Sequence, residues 1–116
     1  MSDRLHAVLE PLVRIAGVRG AMIVTRTDGL VVAESIMEDV ESAALSALAT
    51  SLARRLEAAA SAAGGGAAQF LIVHAALGAV LMSPSGPEML LVVIADRGVN
   101  VGRARLEMGR VAEGIG

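Results

Sequence analysis

Few residues of this chain are equipped for chemistry, and they are scattered. Its 116 residues include two histidines, His6 and His74, four aspartates and no cysteine. Without Cys there is no thiolate nucleophile, no disulfide framework and no Cys-based zinc site. The histidines have neither paired spacing nor a carboxylate cluster beside them, so they do not read as metal ligands. His6 falls on the outward face of a helical pattern. His74 falls near the end of a strand, either as a neutral, hydrogen-bonded ring or as a charge that modulates an interface near neutral pH. None of the eight serines sits in a G-x-S-x-G elbow, and Ser35, Ser83 and Ser85 read as strand-end and turn residues. Gly64-Gly65-Gly66 is followed by neither Lys-Ser/Thr nor a helix, so it reads as a helix-to-strand exit and not as a phosphate cradle. Glu38, Asp39 and Glu41 stand where a helix opens, and capping and dipole complementarity account for them. No nucleophile, base and orienting group converge. The expectation is a non-enzyme with no catalytic, cofactor-binding or metal residues.

All ten basic residues are Arg and the net charge is −2, with one aromatic, Phe70. That combination supplies neither the basic patch nor the stacking platform that nucleic-acid binding requires. Arg54 and Arg55, with Glu57 close behind, project from the middle of a helical stretch. Such a trio is usually a solvated face, but on an interaction helix Arg is a favoured hot spot. Apolar residues make up 54% of the chain, including 22 Ala, while only 19% is charged. Such an excess calls for burial against another chain or in a membrane. Residues 58–87 carry no charge, a run long enough to cross a bilayer. Yet the run is Ala-rich, is cut by the glycine triplet, and is interrupted by Gln69, His74, Ser83 and Pro84 without flanking Arg clusters or aromatic belts. No membrane insertion is expected. The opening Met-Ser-Asp-Arg leads into an amphipathic pattern and not a signal-peptide core, which predicts a cytoplasmic protein.

The elements that must position these residues follow from periodicity. Ser2 or Asp3 can cap a first helix, with Leu5, Val8, Leu9, Leu12, Val13 and Ala16 on one stripe, kinked or restarted at Pro11. Ala21–Arg26 and Leu30–Ser35 read as strands of a hairpin around Thr27-Asp28-Gly29. From Glu38 or Asp39 to about Ala63 runs the longest helix. Leu45, Leu48, Leu52 and Leu56 form one stripe on it, and Ala44, Ala47, Ser51, Ala58 and Ala62 form a face of small side chains. That face either lies tightly on its own sheet or admits a partner helix. Three strands are expected over Ala67–Ala75, Gly78–Met82 and Met89–Ala95, with the last central and the turn-rich residues 83–87 between the final two. Asn100 caps a last helix with Val101, Ala104, Met108, Val111 and Ile115 inward. The expected fold is α+β: one domain over residues 1–116, order α-β-β-α-β-β-β-α, a five-stranded mainly antiparallel sheet with helices on both faces.

This order, with several local stretches, resembles the roadblock family, the dynein light chain relatives that include bacterial regulators of Ras-like GTPases. The stretches are Gly17-Val18-Arg19-Gly20-Ala21, Thr27-Asp28-Gly29-Leu30, Gly78-Ala79-Val80-Leu81, Met89–Ala95 and Val101–Met108. The resemblance implies a roadblock or profilin-like sandwich and a homodimer that pairs third strand to third strand and packs its long helices side by side. Ala44, Ala47, Ser51, Ala58, Phe70, Ile72 and His74 are then the candidate interface. It also implies a Ras-like small GTPase as partner, with Arg54, Arg55 and Glu57 as candidate contacts. Regulation would come from binding one switch state or ordering the GTPase's own residues. An arginine finger from Arg54, Arg55 or Arg97 is the variant the resemblance disfavours. The chain departs from its relatives at Phe70, Leu71, Ala75, Ala76 and Leu77, apolar where relatives often carry charge. A structural adaptor indifferent to nucleotide and a small-molecule sensor are the alternatives.

Overall fold

A computed structural model describes residues 2–37 and 39–115, with only the backbone of Ser2 and Asp3. Capping by Ser2, Asp3 or Glu38 therefore lies outside the described residues. The chain opens with two short helices, α1 (Ser2–Ala7) and α2 (Glu10–Val13). Pro11 stands in the first turn of α2, where its missing N–H removes no hydrogen bond, so the apolar stripe restarts there. Leu9 and Leu12 are fully buried, and Ile15 takes the inward place expected of Ala16, which is exposed.

Strands β1 (Val18–Thr25) and β2 (Val31–Ile36) form the expected hairpin, with β1 beginning three residues before the apolar run. Gly29 in the turn adopts φ +68, and a Cβ there would lie 3.2 Å from the Ser46 carbonyl oxygen. Conformation and space both call for glycine. Then follow helix α3 (Ser42–Ala62), strands β3 (Leu71–His74), β4 (Gly78–Ser85) and β5 (Met89–Asp96), and helix α4 (Val101–Ile115). The start of α3 falls later than Glu38 or Asp39 because Asp39 is engaged elsewhere: its carboxylate accepts from Arg19, which also faces Asp96 at 3.7 Å. Glu41 occupies the cap position without a side-chain cap bond.

All pairings are antiparallel, in the order β2-β1-β5-β4-β3. As its hydrophobicity implied, β5 is central. Leu91, Val93 and Ala95 enter the core beneath α1, α2 and α4, while Leu90 and Val92 enter the one beneath α3. Two strand bounds differ from expectation. Strand β4 runs on through Ser83-Pro84-Ser85, with Pro84 opposite Leu90, because Gly86 at φ +67 confines the turn to fewer residues. Strand β3 pairs over four residues instead of nine, since it is an edge strand held from one side only. In α4, Asn100 Oδ1 accepts the Arg103 N–H at 3.0 Å, and Ala104, Met108 and Val111 are buried as the periodicity required. Among the described residues no helix is long and apolar enough to cross a membrane.

Candidate functional site

The inward face of α3 is neither of the two faces read from the sequence. Ser46, Ala49, Thr50 and Ala53 are its buried residues. The hydroxyls of Ser46 and Thr50 donate to the carbonyls of Ala43 and Ser46, at 2.9 and 2.8 Å, so their burial leaves no polar atom unpaired. Small side chains let the helix settle closely on the larger Met22, Val24, Met82, Leu90 and Val92 of the sheet. The leucines are displaced to a flank as a result: Leu45 and Leu52 are half-buried and Leu48 is 70% exposed. The Ala44 face points away from the sheet altogether, with Ala44, Ala47 and Ala58 exposed and Ser51 half-exposed. Lying tightly on its own sheet is thus excluded for that face.

One helix is too narrow for this sheet. Five strands span roughly 19 Å between their outer axes, about twice the ~10 Å width of a helix. On one face the two short helices and α4 share the task; on the other α3 works alone, lying chiefly over β2, β1 and β5. The remainder of that face, at β4 and β3, is left partly open. Leu71, Val73 and Val80 are half-buried there. Val73, Val80 and Met82 line a shallow groove of about 120 Å³ with Leu45, Leu48, Ala49 and Leu52. Its outer wall is β3, which has no strand partner on its far side among the described residues. Apolar groove and unpaired edge are therefore contiguous, the kind of edge that soluble proteins cover.

The candidate interface residues divide around this edge. Ala44, Ala47, Ser51 and Ala58 share the outer face of α3. Phe70 and Ile72 turn to the opposite face of the sheet and pack partly against the core beneath α4, where the Arg105 guanidinium lies 5.0 Å from the Phe70 ring centroid. His74 is exposed at the end of β3. The candidate interface drawn from the sequence omitted Leu71, Val73 and Val80, and the outward lean of Leu48. Strand alternation was the available signal: it sends Leu71 and Val73 to the face opposite Phe70 and Ile72.

The trio Arg54, Arg55 and Glu57 is not one group. Both arginines are exposed, and neither forms an ion pair among the described residues. Glu57 instead accepts from Arg26 Nη2 at 2.6 and 2.8 Å. Arg55 stands beside Leu48, Ser51 and Leu52, at the margin of the groove. Arg97 is exposed on the turn between β5 and α4. The described residues contain no cluster of three or more His, Asp or Glu able to hold a metal ion.

Comparison with known proteins places this geometry among others. The family model described as Roadblock/LC7 domain matches residues 5–95. The uncharacterized protein MJ0714 of Methanocaldococcus jannaschii is 34% identical over 115 residues, covering 99% of this chain and 96% of its own. The gliding protein MglB of Thermus thermophilus superposes with a TM-score of 0.84 at 24% identity, over 97% of this chain and 85% of its own. An MglB structure with a tetrameric arrangement gives 0.87 at 25% identity, over 98% and 86%.

Proposed function

This chain belongs to the Roadblock/LC7 domain family, and from that premise we propose that it is a non-catalytic homodimeric regulator or scaffold of a Ras-like small GTPase. The observation that carries the dimer is the under-covered half of the sheet. A second copy related by a two-fold axis, paired β3 to β3, covers the β3 edge and brings the Leu45, Leu48 and Leu52 flanks of the two α3 helices toward one another across the seam. Leu48, Val73 and Val80 are then covered, and the partner helix meets the Leu45, Leu48 and Leu52 flank of α3, with the small Ser51 at its margin. The MglB of tetrameric arrangement supports self-association in this fold.

The GTPase contact is assigned to the exposed cations of α3. Arg54 and Arg55 are both exposed, and Arg55 stands beside Leu48 and Leu52, the composition of an interface anchor. Glu57 is withdrawn from that role by Arg26. On this reading the protein acts by differential affinity for one switch state.

The test has two stages. Sedimentation equilibrium at micromolar concentration should give the dimer mass; a monomer overturns the assembly. Capture of a Ras-like GTPase encoded near this gene, loaded in turn with GDP and GTP, should show a nucleotide preference that an Arg54→Glu, Arg55→Glu variant abolishes. Capture without nucleotide preference identifies an adaptor instead.

A further inference from the structure

The edge strand β3 is weakly seated by its own chain. Four residues pair with β4 on one side, and the segment before them is fed by glycines: at Gly64 and Gly66 an added Cβ would meet nothing within 4 Å. From Gln69 the carbonyl reaches Ser83 Oγ only at 3.5 Å, a long contact. What anchors the segment is Phe70, the only aromatic residue in the chain. Its ring packs partly into the core beneath α4, and the exposed Arg105 of α4 lies over it at 5.0 Å. A guanidinium over an aromatic face is attracted by the ring quadrupole. The contact therefore ties α4 to the strand whose far side is free.

We propose that Arg105, acting through Phe70, is a positioning residue that pre-seats the β3 edge for a second copy of this chain, so that the placement of α4 sets the strength of self-association. The inference rests on the homodimer reading above. An unpaired strand that is already held straight loses less conformational freedom on pairing, and that saving appears as affinity. The expected size is that of one exposed cation–π contact in each protomer, two per dimer, about tenfold in dimer dissociation constant. Regulation follows without contact at the seam: anything that draws Arg105 away or shifts α4 weakens the dimer.

The test is a cycle over Arg105→Gln, Arg105→Lys and Phe70→Leu in the full chain, read as dimer dissociation constant by sedimentation and as amide exchange of Leu71–His74. Arg105→Gln alters an exposed side chain, so the fold survives it. Expected are a dimer about tenfold weaker, faster exchange in β3, and recovery of most of the loss in Arg105→Lys. On the Phe70→Leu background, Arg105→Gln should have no further effect. A wild-type chain that stays monomeric overturns the dimer reading and this inference with it. A dimer that is indifferent to Arg105→Gln, or equally sensitive after Phe70→Leu, overturns this inference alone.

Discussion

Arg26 Nη2 donates to both carboxylate oxygens of Glu57, at 2.6 and 2.8 Å, while its Nη1 donates to the Gly86 carbonyl at 2.8 Å. One guanidinium thus joins the end of β1, the long helix and the β4–β5 turn. Both side chains of the pair are about three-quarters withdrawn from solvent, which sets it apart from the exposed pairs Arg14–Glu10 and Arg110–Glu107.

Substituting Arg26→Ala or Glu57→Ala should each lower stability by about 1–2 kcal/mol, between the values for surface and buried pairs. In a thermal melt that is a fall of at least about 4 °C. The double variant should lose less than the sum of the singles. Strict additivity would show that the three elements are not joined through this pair.

Two glycines should respond to alanine in opposite directions. At Gly29, φ is +68 and the Ser46 carbonyl and Thr50 hydroxyl stand 3.2 Å from the new Cβ, so Gly29→Ala should destabilise by about 1–2 kcal/mol. Gly109 lies in α4 with nothing within 4 Å of a Cβ. Gly109→Ala should stabilise by about 0.5–1 kcal/mol by improving helix propensity. Urea midpoints measure both, and equal signs would contradict the backbone geometry.

Leucines at two depths separate folding from assembly. Leu91 is fully buried in β5, so Leu91→Ala should cost about 3 kcal/mol through lost burial and a cavity. Leu48 is 70% exposed, so Leu48→Glu should leave the unfolding free energy of the monomer within about 0.5 kcal/mol. On the dimer reading it should shift the mass to that of a monomer at micromolar concentration. A Leu48→Glu chain of unchanged mass would remove the groove from the interface.

Position along the chain was legible wherever a local signal exists. The turn chemistry of Thr27–Gly29, the cap at Asn100 and the inward set of α4 were readable because each depends on neighbours within one or two turns. The central place of β5 was readable because burial on both faces demands an unbroken apolar run. Less legible was the rotation of α3. Large side chains at helical spacing suggested a core stripe, but the sheet below already presents Met22, Met82 and Leu90, so close approach selects Ser46, Ala49, Thr50 and Ala53 instead. Likewise Glu57 could not be separated from Arg54 and Arg55 in sequence, because its partner Arg26 arrives from the turn after β1, 31 residues away. Tertiary fit decides such matters, and no local pattern carries it.

The strand order has a consequence for how the protein is made. Because β5 is the innermost strand and the last to be synthesised, β1 must wait for it through most of translation. Until Met89–Asp96 clears the ribosome, the β1–β2 hairpin and the β3–β4 pair are two fragments with their apolar flanks open to water and no strand to bridge them. Closure of the sheet is therefore a late, long-range event, slow relative to local structure. Nascent chains stalled before Met89 should be sensitive to proteases along their whole length, and those stalled after α4 has emerged should not.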